Sequence, residues 1–177
     1  MTQGNTSCEI SLAEGLVLCR RTEETGGIRL MALTVESGRH YSAVDLGDWS
    51  ALGQYHVEQP MPFPGKVFLS ELLGLTGMEV SLNRLAAGDN MPFTHRHREH
   101  EELYLFVGGQ GQFQVDGTII SVREGTAIRV SPQGDRTWRN NSTEDLYYIV
   151  VQAKAGSLAE STFHDGELGS STVSWPD

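Results

Sequence analysis

The chain has 177 residues, close to the usual size of one domain and long enough to bury a hydrophobic core. Its formal net charge of −10 opposes phosphate backbones, so nucleic acid is not an expected partner. No apolar run approaches the ~18 residues a membrane-spanning helix needs, and 38% hydrophobic residues with 20 glycines fit a turn-rich, all-β protein.

Met1–Glu9 is polar and shows no basic-then-apolar order, so no secretory signal is read there. Cys8 and Cys19 are the only cysteines. Without a signal they are read as free thiols of a reducing compartment, and the protein is expected to be cytoplasmic. Leu16–Cys19 and Ile28–Val35 have strand composition, separated by the turn-forming run Glu23-Glu24-Thr25-Gly26-Gly27. Residues 1–60 are expected to form an N-terminal β extension that lengthens a sheet, covers its edge or crosses to a second copy.

Met61-Pro62-Phe63-Pro64-Gly65 reads as a rigid connector, because its prolines exclude helix and central strand. Lys66–Gly74 is a candidate short helix, ended by Gly74 and Gly77. From Met78 onward the strand signals become regular: Met78–Leu85, Thr94–His97, Glu102–Val107, Gln112–Val115, Thr118–Val122, Ala127–Val130 and Leu146–Ala153. Asp116-Gly117 between two alternating runs signals a tight hairpin. Such closely spaced strands predict a barrel or jelly roll over residues 61–155. Residues 156–177 are read as a tail with one helical turn, and Gly166–Asp177 as loose unless docked on a partner.

The chemistry-bearing pattern is His95-Arg96-His97 followed by Glu102. Two histidines at i and i+2 of a strand point to one face. A carboxylate on the next strand completes a three-donor set for a divalent transition metal (Fe, Zn, Ni or Mn) with coordination positions left open. Glu101 competes with Glu102 for the carboxylate role. Glu102 shares a strand face with Tyr104 and Phe106, and Glu101 with Leu103, Leu105 and Val107; both faces are apolar, so periodicity does not decide. Glu102 is preferred because it leaves a six-residue gap before the turn-like Gly109-Gln110-Gly111, and Tyr104 and Phe106 would then line a small-molecule pocket. Glu101 is then an exposed acid or an ion-pair partner of Arg96 or Arg98. His100 is read as a solvated loop residue. Phe93 lies beside the pocket mouth. Arg136 and Trp138 share one strand face and Thr137 the other, so either Thr137 or, after a one-residue shift of register, Arg136 enters the cavity. Tyr147 and Tyr148 alternate in the same way, and either could offer a phenol to the cavity.

Gly88–Asn141 resembles the two motifs of the cupin superfamily. The first motif, a glycine, His-x-His, a glutamate and a later glycine, is carried by Gly88, His95, His97, Glu102 and Gly109. The second, a glycine, Pro-x-Gly, then after two intervening residues a histidine and after three more an asparagine, is carried by Gly125, Pro132, Gly134 and Asn141, with Thr137 where the histidine belongs. Six residues instead of five separate Gly88 from His95 and Gly125 from Pro132. The resemblance implies a double-stranded β-helix (jelly-roll) barrel with extra N-terminal strands, a metal site lacking its fourth ligand, and a homodimer.

Fold alone does not give function. One expectation is an enzyme whose metal, on His95, His97 and Glu102, acts on a small oxygen-bearing metabolite as a dioxygenase, isomerase or lyase would. The alternative is a non-catalytic cupin for binding, sensing or storing a small molecule.

Overall fold

The computed structural model describes residues 33–57 and 62–176. In chain order, β1 (Val35–Ser37) and β2 (Ser42–Val44) form a hairpin, followed by a 3-10 turn at Trp49–Gln54. β3 (His56–Val57) pairs with β4 (Phe63–Pro64). Then come β5 (Lys66–Phe68), a single helical turn α1 (Ser70–Leu73), β6 (Glu79–Leu85), β7 (His100–Gly108) and β8 (Gln110–Val115). β9 (Thr118–Arg123), β10 (Ala127–Val130), β11 (Arg136–Arg139) and β12 (Leu146–Lys154) complete the set.

Two antiparallel sheets make the barrel. One has the order β10-β7-β12-β6-β5 and the other β11-β8-β9. The chain crosses between them at Gly108–Gln110, where Gly109 has φ 79° and a Cβ would lie 2.2 Å from the Asp145 carbonyl oxygen. Only glycine fits such a crossing. Asp116 and Gly117 both have positive φ, at 49° and 83°, which is the two-residue turn expected between β8 and β9.

Side chains alternate across the sheets, so one face of each strand fills the interior. Tyr104 and Phe106 of β7 meet Phe113 of β8, Trp138 of β11 and Leu146, Tyr148 and Val150 of β12 in one core. Phe113 and Trp138 stack at 5.7 Å with their planes 8° apart. A second cluster, Leu46, Leu52, Tyr55, Val67 and Leu72, holds the described part of the N-terminal region against β5 and β6.

Three expectations about elements need correction. Thr94–His97 is not a strand. The segment touches β11 through isolated bridges, Asn90 to Arg139 and His95 to Arg136. Five chain steps on one side face three on the other, and Pro92 has no N–H to offer a ladder. Lys66–Gly74 is not one helix: Lys66–Phe68 joins the sheet edge beside β6, and only Ser70–Leu73 turns helically before Gly74, at φ 68°. The tail has turns and no helix, with Leu158, Phe163 and Trp175 exposed. Of the early strand runs, Leu16–Cys19 and residues 28–32 lie outside the described residues, and Val35 begins β1. Among the described residues no helix is long and apolar enough to cross a membrane.

Arg84 of β6 fastens the turn before β12. Its Nε donates to Asp145 Oδ2 at 2.6 Å and its Nη2 to Oδ1 at 3.1 Å. Burial raises the Asp145 carboxyl, but the hydrogen bonds and charge of Arg84 outweigh it and hold it below the usual aspartate range. A depressed folded value means that the pair stabilises the fold above the unfolded pKa. That contribution is lost as pH falls through the folded value. Urea unfolding of the wild type is therefore expected to lose stability more steeply between about pH 5 and pH 2 than unfolding of Asp145→Asn. Parallel profiles would show that the pair does not couple to folding.

Candidate metal centre and cavity

A cavity of about 610 Å³ opens at one end of the barrel. His95 and His97 reach it from the irregular segment and Glu102 from the start of β7. One ligand atom from each lies within 4.8 Å of the others. His97 Nε2 is 2.9 Å from Glu102 Oε1, off the line of a hydrogen bond, and His95 Nε2 is 4.0 Å from Oε2. The two rings meet edge-on with centroids 5.6 Å apart. They converge although their backbone is not a strand, because the His95 bridge to Arg136 and the His97 N–H to Pro132 O bond fix both residues against the wall.

The choice between acids is resolved by burial. Glu102 is 6% exposed and faces inward with Tyr104 and Phe106. Glu101 turns outward to Arg129, with Oε2 2.7 Å from Nε, instead of pairing with Arg96 or Arg98. His100 is the first residue of β7, not a loop residue, and its ring lies 6.4 Å from that of His97.

Glu102 is held on several sides. Tyr104 Oη donates to Oε2 at 2.5 Å and Arg136 Nε donates to the same oxygen at 3.0 Å, with Nη2 also in contact. Burial would raise this carboxyl, but the hydrogen bond from Tyr104, the nearby His97 ring, and the hydrogen bonds and charge of Arg136 outweigh it and hold the group ionised below the usual glutamate range. The same burial, with the Glu102 charge, pushes the Tyr104 phenol upward, so it remains a donor. Burial, then the Arg136 charge, lowers His95 to about 4. His95 is therefore a neutral imidazole at neutral pH, the form that ligates metals.

The donor set fits a divalent metal on a direct observation. His95 Nδ1 and His97 Nε2 are both buried without a hydrogen-bond partner. Buried nitrogens of this kind are seldom left without a partner. Because Oε2 is occupied by Arg136 and Tyr104, Oε1 is the carboxylate oxygen open to a cation.

The other sequence-predicted site residues divide. Phe93 and Tyr104 line the cavity, as does Tyr148, whose Oη accepts from Trp138 Nε1 at 2.9 Å. Tyr147 points outward, bonding Asp145 and meeting Trp49. Phe106 and Thr137 are corrections. Phe106 is 2% exposed in the core and does not form the cavity wall. Thr137 turns away and donates to Met91 O at 3.2 Å. Its neighbours Arg136 and Trp138 are the inward residues of β11, with no bulge in the β8 register. Asn140, not Asn141, is the buried asparagine, donating to Leu85 O and Glu144 O at 3.0 and 2.7 Å. Arg136 and Asn140 thus keep the motif's four-residue step one position early, and an arginine stands where the resemblance places a histidine. Its side chain is fully buried behind Glu102, so it is no clamp for a substrate in the cavity.

Sequence reasoning missed Lys66, Ser81 and Asn83, which form a polar patch on the cavity wall. The signal was present. In Glu79–Leu85 the polar residues Glu79, Ser81 and Asn83 recur with period two, a face distinct from that of Val80 and Leu82.

A family model for the cupin domain matches residues 81–152. A cupin protein from Bacteroides fragilis is 38% identical, with 59% of this chain and 88% of that one covered and a TM-score of 0.57. The chain belongs to the cupin superfamily. Other solved structures similar to this cupin include a predicted oxalate decarboxylase from Thermotoga maritima, 20% identical, with 42% of this chain and 64% of that one covered and a TM-score of 0.41. A sugar phosphate isomerase from Silicibacter pomeroyi is also 20% identical, with 51% and 59% covered and a TM-score of 0.47. This cupin spans less than two thirds of the length of either. A comparison with curated proteins finds no match.

Removing one partner of a buried ion pair leaves the other charge uncompensated. In metal-free protein, Arg136→Met is expected to lower unfolding stability by about 3–5 kcal/mol in urea denaturation. The double variant Arg136→Met with Glu102→Leu is expected to regain part of it. A single variant as stable as wild type would show that Glu102 does not depend on Arg136.

Proposed function

We propose that this cupin binds a divalent transition metal (Fe, Zn, Ni or Mn) through His95, His97 and Glu102 and acts on a small oxygen-bearing metabolite in the adjoining cavity. The observation that carries this reading is the convergence of one ligand atom each from His95, His97 and Glu102 within 4.8 Å, with a buried nitrogen of each imidazole left without a hydrogen-bond partner. Three protein donors leave positions where a ligand oxygen can enter, and the metal would supply Lewis acidity there. The chain's own contribution is to hold His95 neutral, to leave Oε1 of Glu102 beside His97, and to shelter the site with Phe93, Tyr104 and Tyr148. Dioxygenase, isomerase and lyase chemistry all suit this arrangement.

A second reading, a binding, sensing or storage cupin without turnover, is favoured by one feature. Arg136 already compensates the Glu102 charge, so the cluster is electrostatically satisfied before any cation arrives.

Elemental analysis of purified protein is expected to give about one transition-metal equivalent per chain, removable by chelator, and less than a tenth of that in His95→Ala or His97→Ala. Full metal content in both variants would end the proposal. Turnover of a bound ligand that stops with chelator selects the enzyme over the second reading.

The homodimer is proposed from the resemblance. Outward residues Leu103, Leu105, Ile149 and Val151 are apolar and only half-buried, which suits further cover. Light scattering at micromolar concentration is expected to give twice the 19.4 kDa of one chain. A monomer mass would contradict it.

A further inference from the structure

The cavity has a second polar end. Lys66 and Arg84 are the lysine and arginine side chains on its described wall. Arg84 is committed to Asp145 in a two-bond pair. Among the described residues Lys66 has no carboxylate partner: its Nζ donates to Asn83 Oδ1 at 3.1 Å and to Ser81 Oγ at 3.4 Å, both neutral, and sits 4.7 Å from the centre of the Phe68 ring.

This head group is held in place. Lys66 pairs with Asn83, and Phe68 with Ser81, across β5 and β6, so all four side chains share the inner face. Asn83 and Ser81 are 2% and 3% exposed. The Asn83 amide cannot flip freely, because its Nδ2 donates to Ser81 O and Ser81 Oγ at 3.0 Å and to Tyr148 O at 3.3 Å. That leaves Oδ1 aimed at the ammonium.

The two acids that act on Lys66 through space are engaged elsewhere. Glu79 accepts from the Ser70 backbone N–H at 3.0 Å, from the Ser70 hydroxyl and from the Val80 N–H at 2.9 Å. Glu102 is bound by Arg136 and Tyr104. Burial lowers the Lys66 ammonium to about 8, with Glu102 and then Glu79 opposing that shift, so it is still mostly charged at neutral pH. A partly buried cation without an ionic partner is costly, and a ligand anion would relieve that cost.

We propose that Lys66, set by Ser81 and Asn83, binds the carboxylate of the cavity's ligand, a small organic acid whose other oxygens face His95, His97 and Glu102. The proposal rests on the reading of this cavity as the ligand site. Donor count favours a carboxylate over a phosphate. An ammonium has three N–H donors and two are in use, leaving one strong bond. A phosphate dianion calls for several donors or an arginine fork, and the only arginine on the described wall is occupied. Phe63, Met91 and Phe93 line the same cavity and offer apolar surface for a carbon skeleton.

The test uses the full chain, metal-loaded, titrated calorimetrically with glycolate, lactate, pyruvate, 2-oxobutyrate and benzoylformate, with their primary amides, and with inorganic phosphate. Wild type is compared with Lys66→Met, Lys66→Gln and Lys66→Arg, each checked for folding by circular dichroism and for metal content. At least one acid is expected to bind wild type ten-fold or more tighter than its amide. The two neutral variants are expected to lose that preference, Lys66→Arg to retain part of it, and all to keep wild-type metal content. Equal affinity of acids and amides in wild type, unchanged acid binding by the neutral variants, or Lys66-dependent binding of phosphate alone would overturn the proposal. Lys66-dependent acid binding that survives in His95→Ala would leave this inference standing while removing a metal contribution to binding, so the two readings fail separately.

Discussion

The buried Glu102 carboxylate is the charge on which the rest of the centre depends. At 4 Å and an effective dielectric of about 20, two unit charges interact by about 4 kcal/mol, and burial exacts a penalty of the same order from each ion. The attraction to Arg136 alone would offset only part of the combined penalty. The Tyr104 hydroxyl, on the same carboxylate oxygen, adds the further bond that keeps the group ionised. Because both donors crowd Oε2, the two carboxylate oxygens differ: one is locked by Arg136 and Tyr104, and the other is left beside His97. His95 follows from this arrangement. Burial first, and then the same positive charge that steadies Glu102, discourage protonation of the imidazole beside it, with Glu102 opposing them.

The fold was largely legible from the residues between Met78 and Ala153. Ala127–Val130 matches β10 at both ends, and Thr118–Val122 and Leu146–Ala153 each fall one residue short of their strands. Alternation works there because each strand has one face in the core. Parity alone does not separate Glu102 from Glu101, because both faces of that strand are apolar; the spacing to Gly109 favours Glu102, and the outward pairing of Glu101 with Arg129 agrees with it. Parity failed where the backbone leaves the regular ladder. Nothing in Thr94–His97 announces that its hydrogen bonds are made only at isolated points. Lys66–Gly74 has too few residues to separate an edge strand plus one turn from a helix.

The more consequential slip was a single position. Counting from Pro132 puts Thr137 at the histidine position, whereas the folded chain presents Arg136 and Asn140. The count assumes a loop of fixed length, and loop length is what varies. Charge offered a hint: a lone arginine between polar loop residues and a tryptophan needs a counter-ion if it turns inward, and Glu102 was the available acid. The polar wall of β6 escaped notice for a related reason. Its inward face carries Glu79, Ser81 and Asn83, so the usual equation of inward with apolar reverses along this one strand.

The two histidines ride on a stretch with five backbone steps laid over three. Surplus chain of this kind is slack: it can be lengthened, shortened or re-routed with few ladder bonds to break, while Glu102 sits on a nine-residue strand paired on both sides. The centre therefore joins one adjustable jaw to one fixed jaw. Insertions or deletions among residues 90–95 would retune the grip on a bound ion and leave the barrel that supports it intact.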